Sequence, residues 1–338
     1  MITDKKPLLT VVVPLYNGSE IIESCLRAIR SQEGFHDGEI EIIVVDDGSS
    51  DGGAEKAREH ADVLVRFEEN RGAAFARNAG AAVATADIIV FVDSDVFAES
   101  HALAAFLDLF RDDSQVDAAV GRYTEQPAAP GLVNVYHNAF TRFHHDLSPT
   151  DIDWFWGALG SVRKEAFFEA GGFDERYEGA SAEDMELGKT LAQDGRRIRY
   201  LPKAEGAHAH DFTFGSMLEN DYKKSVLGMK LMLMGRLPKK APDFGRANLV
   251  SIIMLALFFV LVIAGLLPVS LLLLIFMIVR FMYLTDLGIS LGRISPGIPM
   301  LAVALLYYVQ MCVMTLGAVA GAVGHAIGRT PYGKPGWI

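Results

Sequence analysis

The sequence predicts an α/β domain, a mostly parallel central sheet flanked by helices, followed by an all-α segment lying in a membrane. Three observations carry this reading. Apolar runs of strand length alternate with amphipathic runs of helical length along the first part of the chain. The strand-type runs, "IIVV" and "IIVFV" among them, are continuously apolar, as in strands buried on both faces. Beyond about residue 245 the composition turns almost wholly apolar.

The elements follow in order. "LLTVVVPLY" is a strand, and "GSEIIESCLRAIRSQ" an amphipathic helix with Ser19 placed as its N-cap. "EIEIIVVDD" is a second strand, then come the turn "GSSDGG" and the helical "AEKAREHA". "DVLVRF" is a third strand, "NRGAAFARNAGAAVAT" an Ala-rich helix and "DIIVFVD" a fourth strand. Ligands on such sheets gather at the carboxyl ends of the strands. The unusual residues fall there: Pro14, Tyr16 and Asn17; Asp46 and Asp47; Asp93 and Asp95. Further on come a strand, "VDAAVGRYTE", a helix rich in aromatics and histidine, "LVNVYHNAFTRFHHD", and then "DWFWGALGSVRKEAFFEAGGFDERY". The helix "AEDMELGKTLAQDG", the strand "RIRYLP" and the segment "GAHAHDFT" complete one domain over 1–215, whose second half forms the other wall of a cleft.

Residues 216–246 read as an interfacial amphipathic helix and linker, with Lys223, Lys224 and Lys230 available to anionic headgroups. Three apolar runs follow, at 248–267, 268–284 and 297–324. A spanning helix needs roughly 20 apolar residues. The first and third runs meet that length; the second is shorter and ends near Arg280, which can snorkel to the interface. About three spans over 247–328 and a tail over 329–338 are expected. Arg236, Lys239, Lys240 and Arg246 before the first run, with Arg280 and Arg293 before the third, place those sides in the cytoplasm. The expected location is thus the inner (plasma) membrane, multi-pass, with the N-terminal domain cytoplasmic. The N-terminus carries no signal-peptide pattern.

Charge and motifs exclude several classes. Lys plus Arg number 31 against 42 Asp plus Glu, a net charge of -11 that disfavours a nucleic-acid binder. Cys25 and Cys312 form neither a CxxC nor a metal-ligand pattern, which suits a reducing compartment. No GxGxxG follows the first strand, and no GxxxxGK[ST] loop is present. Phosphates must then be held another way, for which Mg²⁺ or Mn²⁺ on a carboxylate pair suffices. Asp93 and Asp95, two apart at a strand end, can turn into one cleft, although the pair taken alone favours a helix cap or a turn.

"VVVPLYN", "IIVVDDGSSDGG", "NRGAAFARNAGAAVATADIIVFVDSD" and "GGFDERYEGASAEDMELGKTLAQDG" occur in this order over about 8–215. In this combination the chain resembles the family 2 glycosyltransferases of GT-A fold. The resemblance implies an inverting, metal-dependent enzyme that moves a sugar from a nucleotide sugar, with a UDP-sugar preferred. Pro14, Tyr16, Asn17 and Asp46 would bind the nucleotide, and Arg77 matches the family arginine near it. Asp93 would face the ribose or sugar and share the metal, with Asp95 as its principal ligand and Mn²⁺ or Mg²⁺ as the ion. Asp184 matches the catalytic base, with Glu183 beside it. His208 matches a histidine near the diphosphate or metal, with His210 as its competitor.

Structural readings stand beside these. Asp46, Asp47 and Ser49 also suit an Asx-type turn. Glu183 and Asp184 suit the dipole of a helix start, and Trp154, Phe155 and Trp156 suit the core as well as an acceptor platform. The QxxRW motif of processive synthases is absent after Asp184, so one sugar per encounter is expected. The expected acceptor is a hydroxyl of a lipid-linked or cell-envelope glycan at the membrane surface. A polyprenyl-phosphate sugar synthase and a non-catalytic nucleotide-sugar-binding scaffold are the alternatives.

Overall fold

The computed structural model describes residues 6–177, 182–240, 246–271, 274 and 300–329. The chain runs β1 (Leu9–Leu15), α1 (Ile22–Arg30), β2 (Ile40–Asp47), α2 (Gly53–Arg58), β3 (Val63–Phe67), α3 (Ala73–Val83) and β4 (Ile88–Val92). Then follow β5 (Val96–Ala98), α4 (Ala102–Asp112), β6 (Ala118–Tyr123), α5 (Leu132–Asp146), β7 (Asp151–Ile152), β8 (Leu159–Arg163) and α6 (Lys164–Glu169). It closes with α7 (Glu183–Gln193), β9 (Ile198–His208), α8 (Phe214–Leu233), α9 (Arg246–Ile263) and α10 (Met300–Ala326).

The described strands form one sheet in the order β3-β2-β1-β4-β8-β6-β9-β5, with β7 paired to β9. Its first half, β3 to β4, is wholly parallel. Beyond β4 the sheet is mixed: β8 runs antiparallel to β4 and β6, while β6 and β9 are parallel. The mostly parallel expectation therefore describes the N-terminal half. The continuous apolar runs have their cause in two covered faces. Val11, Val13 and Leu15 pack with Cys25, Leu26 and Ile29 of α1 and Phe106 of α4. Val12, Ile43 and Val45 pack on the other face with α3, Phe155 and Phe173. Gly80 of α3 lies so close to the sheet that a Cβ there would stand 2.4 Å from Val12.

A third apolar cluster joins α5, α8 and α10 through Tyr136, Phe140, Met217, Tyr307 and Met311. At Gly317 and Gly321 of α10 a Cβ would come within 2.6 and 2.3 Å of the Tyr222 and Val226 carbonyl oxygens of α8. The small residues of "GAVAGAVG" are thus a close helix seam. Beside it the Tyr136 hydroxyl donates to Gln310 Oε1, and Gln310 Nε2 donates to Asp221 Oδ2 at 2.9 Å, a buried polar chain across the three helices.

The structure corrects several expected boundaries. Ser19 does not cap α1, which begins after a turn at Ile21 with no side-chain cap. Its backbone N–H instead donates to Asp51. The last strand extends past "RIRYLP" to His208, because it pairs with β5 as well as β6. Of the three apolar runs, the third forms a helix whose segment Leu305–Ala326 is long and apolar enough to cross a membrane. The first forms α9, the second lies almost wholly outside the described residues, and so does the tail.

Candidate active site

The ends of β1, β2 and β4 and the start of α3 enclose a cavity of about 250 Å³, lined in part by Pro14, Tyr16, Asp47, Arg77, Asp93 and Asp95. Tyr16 is exposed and stands at its edge. Asn17 sits beside it in a left-handed conformation, φ 49°. Its N–H donates to Ser49 Oγ at 2.9 Å and its Oδ1 accepts from the Ser50 N–H at 3.0 Å, so Asn17 clips the end of β1 to the "DDGSS" turn. Asp46 is fully buried, with Oδ1 accepting the Ser49 N–H at 3.0 Å and Oδ2 lying 3.1 Å from Arg66 Nε. Asp47 takes the N–H groups of Arg71 and Gly72 at 2.9 and 2.7 Å and so fixes the start of α3. Of the pair, Asp47 rather than Asp46 lines the cavity. Sequence reasoning placed the turn correctly and missed this division of labour, which depends on side-chain direction.

Arg77 is 3 % exposed and holds the site together. One guanidinium nitrogen lies 2.6 Å from Asp93 Oδ1 and another 2.8 Å from Glu183 Oε1. Burial works against its charge, yet Asp93 and Glu183 outweigh it and hold the guanidinium firmly protonated. A Cβ at Gly157 would stand 2.8 Å from the guanidinium carbon, so only glycine fits beneath it. Burial pushes the Asp93 carboxyl up, with Arg77 opposing. Glu183, buried against Arg77, is a positioning group in this arrangement.

Asp95 lines the same cavity. Its Oδ2 is 3.7 Å from His208 Nε2 and 3.6 Å from His210 Nδ1. Burial opposes its charge, but His208 and His210 hold its carboxyl below the ordinary range. The end of β9 delivers both histidines: Val96 of β5 is in register with His208, and the Ala209 N–H donates to the Asp95 carbonyl at 2.7 Å. His208 is buried and stacks on Tyr123 with ring centroids 4.5 Å apart, whereas His210 is exposed. Both expected histidines therefore face the same carboxylate.

Asp184 sits in the first turn of α7 on the far side of Arg77. Its Oδ2 accepts the Gly157 N–H at 3.2 Å and its Oδ1 the Met185 N–H at 2.7 Å. Burial, reinforced by the charge of Glu183, pushes its carboxyl up to about 7. It faces a second cavity, walled by α5, α7, α8 and Met314 of α10. Trp154 and Trp156 also line this space, while Phe155 belongs to the core. His137, Asp221 and Ser225 of this cavity were not singled out from the sequence, and Lys224 was read only as a headgroup contact, since helices far apart in the chain bring them to it.

Residues 10–167 match the family described as glycosyl transferase family 2. Validoxylamine A glucosyltransferase of Streptomyces hygroscopicus subsp. jinggangensis is 29% identical over 255 residues, covering 64% of this chain and 60% of its own length. Pre-mycofactocin glycosyltransferase of Mycobacterium tuberculosis is 29% identical over 213 residues, covering 60% of this chain and 43% of its own length. The chain thus spans less than two thirds of these curated relatives. Among solved structures, mannosyltransferase PcManGT from Pyrobaculum calidifontis, in complex with GDP-Man and Mn²⁺, superposes with a TM-score of 0.58 at 22% identity, over 96% of this chain and 88% of that one. That likeness is one of fold. With the sheet order, the strand-end carboxylates and the family match together, the chain carries a glycosyl transferase family 2 domain of GT-A fold over residues 10–167.

Proposed function

We propose that the chain transfers a single sugar, with inversion, from a nucleotide sugar to a hydroxyl of a lipid-linked or cell-envelope glycan at the cytoplasmic face of a membrane. The observation that carries this reading is the Arg77 bridge. One guanidinium ties Asp93 of the first cavity to Glu183, the neighbour of Asp184 in the second. A donor in the first cavity and an acceptor in the second would then meet across the wall formed by Arg77 and Gly157.

Pro14, Tyr16 and Asp47 line the part of the donor cavity that suits the nucleoside, while Asn17 and Asp46 hold the turn behind it. The UDP preference comes from the resemblance, so UDP- and GDP-sugars both belong in a donor screen. Asp184, with a carboxyl near 7, is matched to take a proton at neutral pH. As the acceptor oxygen forms its bond to the anomeric carbon, its proton passes to Asp184. The bond from that carbon to the diphosphate breaks, and both electrons leave with the diphosphate. Attack from the side opposite the leaving group inverts the centre, so an α-linked donor gives a β-linked product.

One carboxylate oxygen of Asp95 faces two imidazole nitrogens at 3.6–3.7 Å, a mixed oxygen and nitrogen set that suits Mn²⁺ better than the oxygen-seeking Mg²⁺. Among the described residues no group of three or more His, Cys, Asp or Glu could hold a metal by itself. Asp95 with His208 would therefore hold the ion, His210 being the alternative, and Asp93 stays on Arg77. Such a cation would neutralise charge gathering on the departing diphosphate.

Membrane attachment is supported by the apolar helix at Leu305–Ala326 and by exposed Ile253, Val260, Ile263, Leu305, Leu316 and Val319 on α9 and α10. The domain limits at 215 and 246 and the cytoplasmic side rest on the sequence pattern. Transfer assays on lipid extracts with each nucleotide sugar and Mn²⁺ test the activity, with Asp184→Asn as the decisive variant. It should lose transfer and keep donor affinity in calorimetry. Near-normal turnover by Asp184→Asn would remove Asp184 from its role.

A further inference from the structure

The cavity beside Asp184 has a chemistry that narrows the acceptor. Three buried polar atoms on residues lining it have no hydrogen-bond partner among the described residues: Trp154 Nε1, His137 Nδ1 and Ser225 Oγ. These residues are 0%, 6% and 2% exposed. A buried polar group left unpaired costs about 1–3 kcal/mol, and folded chains pair nearly all of them. They come from α5, α8 and the segment after β7, so no single local feature accounts for all three. A polar guest shared by them does.

Charge restricts that guest. Asp184 and Asp221 line the cavity, and its lysine, Lys224, is exposed. A phosphate seated deep here would meet two carboxylates, with no buried lysine or arginine among the lining residues. Hydroxyl groups suit the site: they accept from Trp154 Nε1 and Ser225 Oγ, and donate to Asp184. The remaining wall is apolar, with Leu227, Leu231 and Leu237, and ends at Met314 of α10.

The geometry points to an acceptor that is a glycolipid with an uncharged sugar head. That head seats on Trp154, His137 and Ser225, and an aliphatic tail runs along Leu227, Leu231 and Met314 toward the apolar face of α10. This rests on the reading of Asp184 as base, but it is testable by binding alone. A polyprenyl phosphate, whose head is a dianion, is the acceptor this cavity disfavours.

The full chain, reconstituted in phosphatidylcholine nanodiscs, is titrated by calorimetry with dodecyl β-D-glucoside and with dodecyl phosphate. The expected result is saturable binding of the glucoside, about ten-fold or more tighter than the phosphate. Ser225→Ala and Trp154→Phe should each weaken glucoside binding about 3- to 10-fold, with nucleotide affinity unchanged. Should Trp154→Phe fail to fold, Ser225→Ala, which removes a single oxygen, carries the test with its melting temperature as control. Equal or tighter binding of the phosphate overturns the proposal. So does non-saturable uptake of the glucoside, or glucoside affinity unchanged in Ser225→Ala. Such a failure would leave nucleotide binding and the Asp184→Asn result standing. Transfer by Asp184→Asn would instead remove the base while glucoside binding persisted.

Discussion

Asp184 meets opposite electrostatic demands from the fold and from the proposed reaction. Asp184 is pushed up to about 7 from 3.8 by burial and by Glu183, so it binds its proton more tightly folded than unfolded. It therefore supports the fold fully below its unfolded pKa, and that support is lost as pH rises through about 7. Asp184→Asn should melt like the wild type at about pH 4 and higher than it at about pH 8, by at most about 4 kcal/mol. Equal melting at both pH values would contradict the raised carboxyl. The proposed catalysis runs the other way, because only the deprotonated form can accept a proton. The transfer rate should climb about ten-fold per pH unit below about 7 and level off above it; a flat profile in buffer-controlled initial rates would contradict the base. Arg77 has the larger structural role. Arg77→Met would strand Glu183, 2 % exposed, and Asp93 without their shared cation, at a cost of about 3–5 kcal/mol in denaturant unfolding. The sequence made Asp93, Asp95 and Asp184 legible because each lies in a local motif. The bridge was not legible, since Arg77 and Glu183 are 106 positions apart and only the fold brings them together.

The elements that carry the site were readable where burial wrote a pattern. β1, β2 and β4 are covered on both faces, and their unbroken apolar runs say so. Helix α4 was passed over, and β5 and β7, of three and two residues, are too short to show a period. The close seam between α8 and α10 was hidden for another reason. "GAVAGAVG" reads simply as apolar, and only the packed pair reveals Gly317 and Gly321 against the carbonyl oxygens of Tyr222 and Val226. Those obstacles are backbone and cannot swing aside. Gly321→Leu should drive the helices apart, at a cost of about 1–3 kcal/mol or more, read as lower thermal stability in detergent and faster proteolysis of α8. An unchanged melting temperature would mean that the seam does not hold the two helices.

At the scale of the whole molecule, one half of a twisted sheet presents the donor cavity, and the other half with α5 to α8 presents the cavity of Asp184. Helix α10 completes the second cavity through Met314 and leaves Leu305, Leu316 and Val319 facing outward. Under the proposed function, an acceptor held in a bilayer would reach Asp184 along α8 and α10. Alkaline carbonate extraction should leave the chain in the membrane pellet, and its release into the supernatant would contradict integral attachment. The division into an α/β part and an apolar tail was visible in composition alone. The meeting of the two parts over one cavity was not, because it depends on helix packing between residues far apart in sequence. The proposed function has one direct chemical consequence: with the donor in the first cavity and Asp184 as base in the second, transfer would proceed by a single inverting displacement. Proton NMR of the anomeric signal of the first product formed from an α-linked nucleotide sugar measures this. A β-linked product is expected, and an α-linked product would contradict the placement of Asp184 opposite the leaving diphosphate.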